Sequence, residues 1–279
     1  MATRYDDQAI ETARQYYNSE DADNFYAIIW GGEDIHIGLY DHPDEPIADA
    51  SRRTVERMAS GAKQLGPQSY VLDLGAGYGG VARYLAHQYG CRVVALNLSE
   101  RENERNRQMN REQGVDHLIE VVDAAFEDVP YDDGVFDVVW SQDSFLHSPD
   151  RGRVLREASR VLRSGGEFIF TDPMQADDCP EGVLQPILDR IHLETMGTPS
   201  FYRETLKQLG FTEGSFEDHT PQLPLHYGRV HRELSAREDE LRGQVSEAYV
   251  ERMKRGLEHW VDGGNNGYLT WGIFHFHKS

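Results

Sequence analysis

Residues 70–80, YVLDLGAGYGG, decide the fold. The first five are apolar apart from Asp73, and they run without a spacer into Gly75-Ala76-Gly77-Tyr78-Gly79-Gly80. A short apolar run that ends in glycines and opens a helical segment is the strand, loop and helix context that a nucleotide-type loop demands. Glycine lets the chain turn sharply there and lets a ligand approach the backbone. The loop alone leaves the ligand open, because nicotinamide and flavin folds share its spacing. Asp73 discriminates. A pyrophosphate is held by helix-end amides and is repelled by a nearby carboxylate. A ligand with an ammonium, a sulfonium and no phosphate favours one, and S-adenosylmethionine is such a ligand.

Outward from this stretch the pattern alternates. Apolar runs at 91–98, 118–124, 136–142 and 167–172 are separated by helical periods at 79–89, 100–113 and 150–163. Strands alternating with helices predict a parallel sheet covered on both faces. The helix at 150–163 carries Val154, Leu155, Ala158, Val161 and Leu162 on one face, with Gly165–Gly166 as its stop. After residue 173 the alternation lapses into helical segments near 183–196 and 200–209. A short strand in LGFTEGSFED, a charged helical stretch at 231–261 and a final strand in YLTWGIFHFHK follow. Towards the N-terminus, Ile10, Ala13, Tyr17, Phe25, Ile28 and Ile29 recur at helical spacing, and 47–65 reads as a further helix. Between them WGGEDIHIGLYDHPDEP, rich in Gly, Pro and aromatics, reads as a lid or entry loop. The expected organisation is an N-terminal helical cap (1–46), a ligand-binding core (47–175), and a substrate-side helical insertion with the closing strands (176–279).

The composition is chiefly excluding. With 28 Lys plus Arg against 48 Asp plus Glu, the 279-residue chain has a net charge of −20, which disfavours nucleic acid and anionic membrane as partners. Such acidity suits a salt-rich cytoplasm, and equally an ordinary acidic enzyme. Only Cys91 and Cys179 are present, without metal-type spacing, so neither a thiol framework nor a metal site is expected. The acidic start and the lack of a run near the roughly 20 apolar residues that span a bilayer predict a soluble cytoplasmic protein.

Two further positions fit the cofactor reading. Asn97 ends the second strand 97 − 75 = 22 residues after the first glycine, where a ribose diol is normally gripped by an acidic side chain. Asp123, ending the third strand before Ala124, is placed to accept from an adenine amino group while a main-chain amide meets the ring. VLDLGAGYGG, VVALNLS, VDAAFEDVPYDDGVFDVVWSQDSFLHSPD and RVLREASRVLRSGGEFIFTD resemble the successive motifs of the class I S-adenosylmethionine-dependent methyltransferases. FYAIIWGGEDIHIGLYD is similar to the cap of the branch with small-molecule and cyclopropane-type enzymes. Over essentially its whole length the chain resembles the sarcosine/dimethylglycine N-methyltransferases that make the osmoprotectant glycine betaine in halophiles.

The resemblance implies an α/β, Rossmann-like fold: a mostly parallel seven-stranded sheet with an antiparallel last strand, plus a helical cap. It implies that Asp73, Gly75 and Gly77 hold the aminoacyl part of the cofactor, Asn97 the ribose, and Asp123 with Ala124 the adenine, with Leu98 as a further cofactor contact. Gln142 is expected beside them. Asn97 departs from the acidic residue usual in the class. A monomer or weak homo-oligomer acting on sarcosine and N,N-dimethylglycine is expected.

Methyl transfer to a neutral amine makes no anion, so the site needs a dry cavity with π faces or carbonyls near the nitrogen. Tyr17, Tyr26, Trp30, Tyr40, Phe145, Tyr202, Tyr227 and Trp271 are aromatic candidates, with Tyr26 taken as catalytic and Trp30 and Tyr202 as substrate contacts. His147, in the loop after the fourth strand, is the other catalytic candidate, and His36 a more structural one. Arg203 and Arg229 are the candidates for the substrate carboxylate. Other methyl acceptors (phosphoethanolamine, tocopherol, lipid), a nicotinamide oxidoreductase and a cofactor-binding regulator without turnover are the competing readings.

Overall fold

The computed structural model describes residues 11, 14–15, 18–30, 32–191 and 193–279. Ile10, Ala13 and Tyr17 lie outside the described residues.

The apolar runs form strands β1 (Tyr70–Leu74), β2 (Arg92–Asn97), β3 (Ile119–Asp123), β4 (Phe136–Gln142) and β5 (Leu162–Thr171). With β6 (Phe211–Asp218) and β7 (Gly272–Lys278) they make one sheet of seven in the order β3-β2-β1-β4-β5-β7-β6. The first five pair in parallel, and β7 lies antiparallel between β5 and β6. This is the expected mostly parallel Rossmann-like sheet. Val71, Val93, Val138 and Ile169 belong to one buried apolar cluster, and Leu72, Val94, Val139 and Phe168 to another. Strands β1, β2, β4 and β5 therefore feed a core on both faces, which is why their runs are so apolar, whereas the outer strands β3 and β6 are half-buried or exposed along most of their length. Chain order reverses between β1 and β4, and a crevice outside the carboxyl ends of the strands at such a switch point is where open α/β sheets take ligands.

The helices of the core are α2 (Ile47–Gly61), α3 (Gly80–Tyr89), α4 (Glu100–Glu112) and α5 (Arg151–Val161). Ser99 and Asp150 cap the last two by accepting from Glu102 N and Arg153 N. Strand β5 begins at Leu162 and not at 167, because the glycine stop is a bulge: Gly165 has φ +75°, and the pairing register shifts against β4. The carboxylate of Glu167, inside β5, accepts from the amides of Lys63 and Gln64 and so pins the segment after α2 to the sheet.

Beyond the core come α1 (Glu20–Phe25), running into a π-helical turn at Tyr26–Trp30, and α6 (Gln185–Ile191) and α7 (Pro199–Gln208). The stretch expected as one helix at 231–261 is three: α8 (Gln222–Ala236), α9 (Glu238–Leu241) and α10 (Glu247–Asn265). Gly243, at φ +83°, sits in the turn that separates the last two. Phe25, Ile29 and Trp30 share a third apolar cluster with Val230, Leu234, Tyr249, Met253 and Leu257. The N-terminal segment and α8–α10 therefore pack as one cap over the carboxyl end of the sheet. The segment 32–46 has no regular structure, as a loop should, yet Ile37, Leu39 and Tyr40 are buried beneath the cap. Among the described residues no helix is long and apolar enough to cross a membrane.

Candidate functional site

The crevice at the β1/β4 switch point is a cavity lined by Asp73, Gly75, Gly77, Asn97, Leu98 and Gln142, and closed from above by Glu33 to His36 of the cap loop. The bare loop is a packing requirement. A Cβ on Gly75, whose φ is +79°, would lie 2.2 Å from Ser144 Oγ, and one on Gly77 would lie 3.2 Å from Ile35 Cδ1. At the base, Asp73 is 2 % exposed and its Oδ2 has no protein partner among the described residues. Burial, reinforced by the nearby charge of Asp34, pushes its pKa up to about 8. Asp34 binds Arg52 through Oδ2 at 2.8 Å, while its Oδ1 lies 3.9 Å from His36 Nε2 and has no hydrogen bond among the described residues, and it is itself raised to about 6 by burial. Two buried carboxyls facing one cavity, one of them raised to about 8, are acids whose ionised form a bound cation would stabilise. S-adenosylmethionine, with its ammonium and sulfonium, supplies such a cation, and a dinucleotide pyrophosphate does not. Gln142 adds a donor: its Oε1 accepts from Trp140 Nε1 at 3.0 Å, and its buried Nε2 is unpartnered.

At the end of β2, where the sequence places the ribose contact, Asn97 does not stand alone. Its Nδ2 donates to Glu102 Oε2 at 2.8 Å, and both residues line the cavity. The acidic group absent from the end of β2 is thus supplied from the first turn of α4, five residues on. Asp123 and Ala124 do not line the cavity. The Asp123 carboxylate is turned outward to Asn103 Nδ2, at 2.8 Å, and to Arg107, while the Ala124 amide donates to Asn97 O at 3.2 Å. Ala125 and Phe126 occupy the cavity wall instead.

A second cavity, of about 700 Å³, opens between the cap and the sheet. Ile35, His36, Asp143 and His147 line both cavities and form the wall they share. Asp143 has φ +51°, rare for a residue with a side chain, and its buried carboxylate overdetermines that backbone. Oδ2 accepts from Ile37 N at 2.7 Å, and Oδ1 accepts from Thr171 Oγ1 and Trp271 Nε1, each at 2.8 Å. One side chain thereby ties the cap loop to the end of β5 and to Trp271, the residue before β7. Burial lowers His147 to about 4, helped by the charge of Arg190, and lowers His36 to about 4 as well. Both rings are neutral at physiological pH. His36 Nδ1 lies 3.2 Å from Ile37 O, a carbonyl that can only accept, so the ring hydrogen sits on Nδ1. The unpartnered Nε2 then presents a lone pair to the wall.

The second cavity holds Tyr26, Trp30, Tyr227 and Trp260, the last two stacked with centroids 4.9 Å apart. Tyr26 and Trp30 come from the π-helical turn, a distortion that recurs at functional positions. The other expected substrate contacts lie elsewhere. Tyr202 is fully buried beneath α7, its hydroxyl donating to Asp172 Oδ2 at 2.7 Å. Arg203 is paired with Glu213 on the surface, and Arg229 with Glu233. Phe145 packs against Phe168 and Phe170, and Tyr40 and Trp271 bond to His226 and Asp143 without lining a cavity. Sequence reasoning missed Asp34, Glu102, Asp143, Arg190 and Trp260. Only Glu102 left a signal, as the acidic end of Ser99-x-x-Glu102, a capping-box spacing next to Asn97.

Residues 72–170 match the methyltransferase domain family. The whole chain is 84% identical, over 100% of both proteins, to the sarcosine/dimethylglycine N-methyltransferase of Halorhodospira halochloris. It is 53% identical, over 98% of both, to the protein of the same name from Aphanothece halophytica. Among solved structures, that of a sarcosine dimethylglycine methyltransferase candidate from Galdieria sulphuraria superposes with a TM-score of 0.90 at 43% identity, covering 95% of this chain and 99% of that one.

Proposed function

Because the chain belongs to the sarcosine/dimethylglycine N-methyltransferase family, a branch of the S-adenosylmethionine-dependent methyltransferases, we propose that it methylates sarcosine to dimethylglycine and dimethylglycine to glycine betaine. The observation that carries this reading is the pair of cavities of unlike chemistry, one with orphaned carboxylates and one with aromatic faces, meeting at Ile35, His36, Asp143 and His147.

S-adenosylmethionine supplies an electrophilic methyl group on a positive sulfur. Asp73 and Asp34 neutralise its cationic end, Gly75 and Gly77 let it approach the backbone, and Gln142 donates to it. Asn97, Leu98 and Glu102 take the ribose, and Ala125 and Phe126 flank the base. On the acceptor side, Tyr26, Trp30, Tyr227 and Trp260 exclude water and offer π faces to a nitrogen that gains positive charge as it is methylated. Neutral His147 and His36 add no repulsive charge at the wall, and the His36 Nε2 lone pair can accept from the N–H of sarcosine. Deprotonating an amine of pKa about 10 at pH 7.5 costs about 3.4 kcal/mol. That is small against an enzymatic barrier, so binding the free base suffices without a charged general base. Both cavities are built within one chain, which supports a monomer or weak homo-oligomer, and metabolite substrates suit a cytoplasmic setting.

Purified protein with methyl-labelled donor should convert dimethylglycine to labelled betaine and leave phosphoethanolamine unlabelled. No label in either sarcosine or dimethylglycine, at saturating donor and alkaline pH, overturns the reading.

A further inference from the structure

An amino acid whose nitrogen faces the shared wall must place its carboxylate deeper in the second cavity. Arg203 and Arg229 are held elsewhere by their own acidic partners. Arg190, in the last turn of α6, lines the cavity and is half-buried. Its guanidinium is seated on Gly256 of α10, where a Cβ would lie 2.5 Å from Nε and Nη1. It contacts Met253 Sδ at 3.0 Å, and among the described residues it pairs with no carboxylate. That is notable in a chain with 48 acidic residues against 28 basic ones. Its charge is felt at His147, on the wall shared with the donor cavity, and at Tyr227. The other arginines on the cavity, Arg252 and Arg255, are exposed, and Arg252 lies over the Tyr249 ring at 5.0 Å.

A second donor faces the same space. His226 is fully buried, and its Nδ1 accepts from Gly38 N at 3.2 Å and meets Tyr40 Oη at 2.9 Å. A backbone amide can only donate, so Nδ1 carries no hydrogen, and the neutral ring carries it on Nε2. That Nε2 has no partner among the described residues, and the ring lines the second cavity. A buried donor without a partner is costly unless a ligand accepts from it.

We propose that the Arg190 guanidinium and the His226 Nε2–H together receive the substrate carboxylate, with Gly256 kept bare so that Arg190 can lie where the acid needs it. The proposal rests on the amino acid N-methyltransferase reading above. It makes the acid, and not the amine alone, the group by which this cavity selects its substrate.

The test compares wild type with Arg190→Met, Gly256→Ala and His226→Phe. It reads KM and kcat for dimethylglycine, competitive inhibition by acetate, and calorimetric affinity for S-adenosylhomocysteine as the check on folding. Losing a charge-assisted hydrogen bond is expected to raise KM between about tenfold and a hundredfold in Arg190→Met, with acetate inhibition weakened in step. Gly256→Ala favours the helix yet displaces the guanidinium, so KM should rise about fivefold or more with the unfolding midpoint held or raised. His226→Phe should raise KM by a smaller factor. S-adenosylhomocysteine affinity should be unchanged throughout. A KM within threefold of wild type in Arg190→Met that still binds S-adenosylhomocysteine overturns the proposal. If Arg190→Met does not fold, an unchanged KM in Gly256→Ala does the same. In either case wild-type turnover of dimethylglycine stands, whereas failure of the broader reading would show as a wild type that methylates neither amine.

Discussion

Asp73 should make donor binding depend on protons. Its carboxyl is pushed up to about 8 by burial and by the charge of Asp34, so at pH 7 the ligand-free protein holds a proton there. A donor that binds only the ionised form must first displace it, at about 1.4 kcal/mol at pH 7 and about 2.7 kcal/mol at pH 6 from 1.36 kcal/mol per unit. With a pKa of about 8 the observed Kd carries a factor of 1 + 10^(8−pH), roughly 101 at pH 6 and 11 at pH 7, so affinity should tighten about ninefold across that unit. The donor's own α-amino group, near pKa 7.7–8.0, stays charged over this window and does not mask the effect. Calorimetry in two buffers of different ionisation enthalpy should count about 0.9 proton released per donor bound at pH 7. Asp34 and Glu102, raised to about 6 and about 7 by burial, titrate nearby, and Asp73→Asn isolates the effect: it should bind weakly and lose most of the pH slope. Stability runs the other way. Between about 3.8 and about 8 the folded chain keeps a proton that the unfolded chain has lost, so Asp73 makes folding less favourable as pH rises. Asp73→Asn should accordingly gain stability relative to wild type from pH 5 to pH 8. A flat Kd between pH 6 and 7 with no proton released would refute the reasoning, because it would mean that the carboxylate is already ionised without a cation beside it.

Gly75→Ala forces a Cβ to within 2.2 Å of Ser144 Oγ at a φ of +79°, and should weaken donor binding while lowering stability by about 1–3 kcal/mol in urea unfolding. Glu102→Ala removes the acceptor of the Asn97 amide and should loosen donor binding about tenfold or more, with the KM for dimethylglycine at saturating donor little changed. Asp143→Ala strands the donors of Ile37, Thr171 and Trp271, and should destabilise the fold by about 3 kcal/mol or more, read as a lower denaturation midpoint. His147 and His36, lowered to about 4, stay neutral from pH 5 upward. The rate with dimethylglycine at subsaturating amine and saturating donor should then rise tenfold per pH unit towards the amine's own pKa, with no step near 6.5. A step there that disappears in His147→Gln would show an ionising histidine at work.

What could be read along the chain, and what could not, divides by the distance over which the information acts. Strands β1, β2 and β4 can be placed to within a residue because each is buried on both faces, and burial writes itself locally as an apolar run; β3, at the sheet edge and half-buried, is legible from Ile119, Val121 and Val122 alone. The start of β5 was missed because Arg163, Ser164, Gly165 and Gly166 carry no apolar signal, and their bulged extension rests on pairing with β4 and not on their own side chains. The donor cavity was legible in its main lines for the same local reason: Asp73, Gly75 and Gly77 lie within one strand-to-helix turn. The differences there lie in which neighbour reaches the cavity lining. Asp123 ends its strand, but its carboxylate meets Arg107, while Glu102, from the next helix, meets Asn97 on the cavity lining. The second cavity was legible only in part, through Tyr26, Trp30, Tyr227, His36 and His147, because no local pattern joins its residues. Tyr26, His147, Arg190, His226 and Trp260 come from five separated segments that only the cap brings together. Every arginine reads alike in sequence. Arg203 and Arg190 differ because one meets Glu213 and the other meets the backbone of a glycine, and that difference arises only when α6 settles against α10.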